Sequence, residues 1–178
     1  MNTRTIDPRL VRASPIAGTW YPGSPRELQK TVDDYLAHAE YFSTDDELIA
    51  LISPHAGYPF SGPTAAYAYR QLEKLKFDTV VLLGPSHYDD FGACAISAKK
   101  YYATPLGTIE LDQAFIDALA QPIHITRVER DREHSLEIQL PFLQRMLSDF
   151  KLVPIMLSFP FYIVGENALK PSEQLANA

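Results

Sequence analysis

The sequence predicts an α/β domain whose predominantly parallel sheet is flanked by helices. Three observations predict it. Two short, nearly continuous apolar runs, at residues 48–52 and 79–83, suit strands covered on both faces. A helical pattern lies between them, giving a strand–helix–strand unit with parallel strands. Further short runs at 93–97, 108–111, 123–126 and 152–157 supply more strands.

The elements follow in order. The first dozen residues are polar and charged and read as an arm over the domain. Gly and Pro punctuate Ser14-Pro15-Ile16-Ala17-Gly18-Thr19-Trp20-Tyr21-Pro22-Gly23, which marks a structured loop. Ser24-Pro25-Arg26-Glu27 is a helix start: a capping Ser, Pro at the first position and Glu to complete the box. Leu28, Val32, Tyr35, Leu36 and Ala39 then share one face, so the expected helix covers about 25–40. A strand at 48–52 ends in Ser53-Pro54-His55-Ala56-Gly57-Tyr58, where Pro54 stops the ladder and Gly57 permits a turn. A helix is expected over 63–75. The strand at 79–83 ends in Gly84-Pro85-Ser86-His87-Tyr88. Strands at 93–97 and 108–111 flank a loop at 101–107. Asp112 caps a short helix to about 120, and a strand follows at 123–126. A helix over 135–147 carries Pro141, which implies a kink or restart. The strand at 152–157 completes the series, and the tail from Phe159 shows a weak helical pattern. The whole of 1–178 reads as one domain.

Composition narrows the function. The 178 residues are 46% hydrophobic and carry a net charge of −6. No basic stripe exists for nucleic acid or for an anionic membrane surface. A single cysteine, Cys94, allows no internal disulfide and fits a reducing, cytoplasmic setting. No signal peptide and no membrane-spanning apolar run are expected.

Ligands of open α/β sheets gather outside the carboxyl ends of the strands. His55 and His87 stand three and four residues beyond their strand runs, each after a proline-containing turn. Two neutral imidazoles there can converge on one ion, or each can bond its own loop backbone. In Glu133-His134-Ser135-Leu136-Glu137, Glu133 and Glu137 lie four apart and share a face if helical. His134 reads either as a pocket acid–base group or as an ordinary helix cap. His38 and His124 read as solvent-facing or structural, and Cys94 as a buried small apolar residue. Asp89 and Asp90 read as a solvated turn. Gly84-Pro85-Ser86 lacks a phosphate-loop pattern, and no GxSxG, HExxH or CxxC occurs.

Four motifs carry a resemblance: Ala17-Gly18-Thr19-Trp20-Tyr21-Pro22, Ser53-Pro54-His55-Ala56-Gly57-Tyr58, Gly84-Pro85-Ser86-His87 and Glu133-His134-Ser135-Leu136-Glu137. In this order they resemble MEMO-family proteins, often named AmmeMemoRadiSam system protein B, over about 11–157. The resemblance implies a fold like class III extradiol ring-cleaving dioxygenases, incomplete here at the C-terminus. It implies a non-haem metal site with His55 and His87 as ligands, His134 as the catalytic group, and Fe(II), copper or zinc as the ion. Family chains place a third ligand, a cysteine, much further along; Cys94 does not match it, and residues 158–178 diverge from the pattern. Two activities stay open. One is metal-dependent redox chemistry of dioxygenase type. The other is a non-catalytic adaptor using the same pocket for a small-molecule or peptide ligand, with radical-SAM and AMMECR-type partners. Tyr58, Tyr88, Tyr101 and Tyr102 are expected to line its exposed surface.

Overall fold

A computed structural model describes residues 6–42, 47–158, 173 and 175–177. A turn of 3-10 helix, Pro8–Leu10, leads into β1 (Val11–Arg12). Helices α1 (Pro25–His38) and α2 (Tyr58–Arg70) precede β2 (Thr79–Pro85). Then come β3 (Cys94–Ser97), β4 (Tyr101–Thr104), β5 (Gly107–Glu110), α3 (Gln113–Leu119) and β6 (Ile125–Val128). A second 3-10 turn, Glu137–Gln139, runs into α4 (Leu140–Met146), and β7 (Lys151–Leu157) follows. Among the described residues no helix is long and apolar enough to cross a membrane.

Most elements stand where local chemistry puts them. Ser24 caps α1 by accepting from the Glu27 amide, and Leu28, Val32 and Leu36 are its buried face. Asp112 caps α3 through the Phe115 amide. Pro141 sits in the first turn of α4, so the expected 135–147 helix is a 3-10 turn and a restart. Helix α2 begins earlier than expected, because Pro59 occupies its first turn, where a missing N–H costs nothing. The expected loop at 101–107 is instead a β4–β5 hairpin. Gly107 closes its turn at φ 132°, a conformation that favours glycine. The tail pattern expected from Phe159 lies almost wholly outside the described residues.

The sheets are mixed, which corrects the predominantly parallel expectation. One has the order β1-β4-β5, the other β2-β7-β3-β6. Pairs β2–β7, β3–β6 and β1–β4 are parallel, whereas β3–β7 and β4–β5 are antiparallel. Connection length explains the exceptions. A parallel crossover needs about a dozen residues or more, and the link 86–93 between β2 and β3 is shorter, so β3 returns in the opposite sense.

The expected strand at 48–52 is a second correction. That segment pairs with no strand among the described residues. Leu48 and Leu51 pack on the core, but Ile49 and Ile52 are 86% and 96% exposed. A groove of about 320 Å³ lies between it and β2, floored by Leu143 and Leu147. The apolar pattern marked one-sided burial, which demands no ladder partner.

The core gathers α1, α2 and α4 around Leu28, Tyr58, Tyr69, Leu140 and Phe142. Helices α1 and α2 meet at Gly62. A Cβ there would stand 2.5 Å from Tyr35 Cε2, and the Tyr35 ring is set edge-on against Tyr58. Gly62→Ala is therefore expected to destabilise the fold by about 1–3 kcal/mol despite alanine's better helix propensity. Urea denaturation of the two chains checks this.

Candidate metal centre

The site is assembled where β2 and β7 end. Ser86 N–H donates to Leu157 O at 2.8 Å, and Ser86 Oγ donates to Asp89 O at 2.6 Å. The turn so formed carries His87. The loop 133–136 crosses directly over Gly84, where a Cβ would meet Ser135 Oγ at 2.7 Å and Leu136 Cδ2 at 2.8 Å. Only a residue without a side chain lets that loop approach. Ser135 Oγ then pins it by donating to Pro85 O at 2.8 Å.

His55 arrives from the other side on the turn before α2. Gln139 Nε2 donates to Pro54 O at 3.1 Å, and Ser61 Oγ donates to Ala56 O at 2.8 Å. The backbone carbonyls of the residues before and after His55 are thereby tied to the body of the fold.

The three imidazoles converge. Ring centroids lie 5.1 Å apart for His55 and His87, 4.4 Å for His87 and His134, and 5.9 Å for His55 and His134. One ligand nitrogen of each falls within 4.8 Å of the others. Thus all three histidines singled out from the sequence meet in one place. His38 and His124 are exposed elsewhere, and Cys94 is buried in β3.

Glu133 organises the centre, a role the sequence pattern did not reveal. Its carboxylate accepts from His87 Nδ1 at 2.9 Å, the His87 amide at 2.7 Å, and the His134 and Ser135 amides at 2.8 Å each. Burial alone would raise its pKa, but these donors outweigh burial and hold it below the ordinary carboxyl value. An ionised Glu133 keeps the proton on His87 Nδ1 and leaves Nε2 with a free lone pair. The expected Glu133–Glu137 shared helix face does not exist, because 131–134 is irregular. Glu137 instead turns inward to Arg12, Ser14 and Tyr21.

Burial is the main cause lowering the pKa values of His55 and His134, with the neighbouring imidazoles adding to it and Glu133 opposing. Both shifts favour the neutral ring, the form that ligates metal. His134 lies tilted against Trp20, with ring centroids 4.2 Å apart, and its Nδ1 meets Tyr88 Oη at 3.2 Å. Beside His55 and His134 opens a cleft of about 670 Å³, walled by Trp20, Pro54, Ala56, Pro59 and Phe60. Of the four tyrosines expected on the surface, Tyr88 is 45% exposed, while Tyr58 and Tyr102 are core residues. Tyr102 takes an inward position on β4, where burial alternates along the strand, and Tyr58 faces the core from the start of α2, while Tyr101 is half-buried.

The family model described as "Memo-like protein" matches residues 12–168. The chain belongs to the Memo-like family. A MEMO1 family protein of Nitrosopumilus maritimus is 33% identical over 83% of this chain and 57% of its own length. One from Methanobrevibacter smithii is 35% identical over 95% of this chain and 62% of its own. The protein memo-1 homolog of Caenorhabditis elegans is 35% identical over 82% of this chain and 43% of its own. This Memo-like chain thus spans about three-fifths, or less, of the length of these relatives. Its three clustered histidines lie inside the matched region.

Proposed function

We propose that this Memo-like chain binds a divalent transition-metal ion through His55, His87 and His134. The observation that carries the reading is the convergence of three ligand nitrogens within 4.8 Å. Their chemistry fits: imidazole suits zinc, iron and copper. Ligands about 2.1 Å from a tetrahedral ion stand about 3.4 Å apart, so the cluster tightens slightly around it. The ring of His87 is 35% exposed and has room to adjust.

A bound ion would supply a Lewis acid with open positions, and Fe(II) would add redox chemistry of the kind the dioxygenase-like resemblance implies. The protein's own contribution is definable. Glu133 holds His87 in one tautomer, Tyr88 and Trp20 fix the His134 ring, and the cleft sets an apolar wall beside them. In this reading His134 serves as ligand rather than solely as the acid–base group.

The cleft wall favours one further reading. Trp20, Pro59 and Phe60, the last 87% exposed, suit capture of a peptide or small apolar molecule without turnover. The radical-SAM and AMMECR-type partners implied by the family resemblance belong to that adaptor reading.

Titration with Co(II) tests the metal proposal. The expected result is saturable visible absorption at one equivalent, with perturbed NMR signals from all three histidines. Absorption that does not saturate, or perturbation that spares His55, would refute it. Glu133→Gln is expected to weaken the affinity about 10- to 100-fold, because the Nδ1 partner loses its charge.

A further inference from the structure

We infer that Arg12, more than a hundred residues from Glu133 in sequence, is a positioning residue for the histidine centre. This rests on the metal reading above for its purpose, though not for its geometry. The Arg12 side chain is 3% exposed and spans three acceptors. Its Nε donates to Asp131 Oδ2 at 2.7 Å. Its Nη1 donates to Glu137 Oε2, and its Nη2 donates to the carbonyl of Glu133. Asp131 in turn accepts the Glu133 amide on Oδ1 at 2.9 Å and the Tyr102 hydroxyl on Oδ2 at 2.5 Å.

The Glu133 residue is therefore gripped at both ends of its backbone. Asp131 takes its N–H, Arg12 takes its C=O, and Arg12 and Asp131 are paired with each other. The only freedom left is the side chain, and that is spent on His87 Nδ1 and three backbone amides. Among the described residues, no other member of the site is tied through both its backbone N–H and C=O to a buried ion pair. Position 12 requires arginine, because a planar fork can serve several acceptors at once, which a lysine ammonium cannot do in the same geometry.

A buried ion pair is by itself weak evidence of stability, since desolvation offsets much of the attraction. Three buried ionised groups packed against the loop that presents His134 and orients His87 are better explained by what they position. Strand β1 contributes only two residues to its sheet, and its burial of Arg12 against this loop gives it a role beyond pairing with β4.

The test compares Arg12→Lys with Tyr102→Phe in the full chain. Both disturb the same buried network, but only the first releases the Glu133 carbonyl. Two readouts are taken: the His87 tautomer by long-range ¹H–¹⁵N NMR at pH 8 without metal, and Zn(II) affinity by competition with a chromophoric chelator. The expected result is a single Nδ1–H tautomer in the parent and in Tyr102→Phe, a mixture in Arg12→Lys, and Zn(II) binding about tenfold weaker in Arg12→Lys alone. An unchanged His87 tautomer in folded Arg12→Lys would overturn the inference. So would the same change in both variants, which would indicate general loosening. Should the parent bind no Zn(II), the metal reading fails, while the tautomer comparison still decides the role of Arg12. Should Arg12→Lys not fold, hydrogen exchange in the parent decides. Glu133, His134 and Ser135 amides exchanging as slowly as β7 support the clamp, and exchange as fast as residues 88–92 contradicts it.

Discussion

Replacing His55 or His87 with alanine is expected to lower metal affinity at least about a hundredfold while leaving the fold intact. Each substitution removes one of three imidazole donors, and two remaining donors make a poor site for ions that favour three or more protein ligands. Neither side chain is part of the core: His55 is half-buried and His87 exposed. Circular dichroism and thermal melting of the apo variants should therefore overlay the parent. His134→Ala is expected to differ. It also removes the ring contact with Trp20 at 4.2 Å and the Tyr88 partner, so affinity and stability fall together. Equal metal binding in the parent and His87→Ala would show that the cluster is not the ligand set.

Phe142→Ala is expected to be the most destabilising single change in the core, by about 3–5 kcal/mol. Phe142 is fully buried on α4. Its ring stacks on Tyr69 at 5.1 Å and leans on Tyr58 at 5.2 Å. Both tyrosines also carry polar obligations. Tyr58 Oη donates to Ile138 O at 3.0 Å, and Tyr69 Oη donates to Gln139 Oε1 at 2.8 Å. Gln139 then holds Pro54 O, next to His55. Emptying the Phe142 position thus leaves a cavity, loosens two buried hydroxyls and slackens the tether of the His55 turn. Since folded domains are stable by only about 5–15 kcal/mol, a shift of this size is read directly from the urea midpoint. A loss under about 1 kcal/mol would mean that the neighbouring rings collapse into the space.

How much of this was legible beforehand depended on the range of the interaction. Ser24, Asp112 and Pro141 act on residues within a turn of themselves, and the elements they punctuate lie where they indicate. His87 was legible because it follows a true strand end, where sites of such folds gather, whereas His55 follows the unpaired 48–52 segment and was marked only by its Pro54–Gly57 turn. His134 was legible as a pocket residue but not as a third member of the histidine cluster, since its approach to His87 depends on Gly84 admitting the 133–136 loop. The network of Arg12, Asp131, Glu133 and Glu137 joins β1 to a loop that begins near residue 131, and no local pattern announces such a pairing. Residues 48–52 misled for a physical reason: Leu48 and Leu51 are apolar because they pack inward, while Ile49 and Ile52 face outward without a ladder. Sheet direction was misjudged because it followed the run of strands and not the shortness of the 86–93 link.

The most direct measurement is the metal content of the purified chain after anaerobic loading with Fe(II) and removal of excess ion, with Zn(II) and Cu(II) loaded in parallel. Metal binding at the histidine cluster predicts close to one equivalent of at least one of these ions in the parent, and almost none in His55→Ala or His87→Ala. A parent chain that retains no metal under any of the three loadings would contradict it.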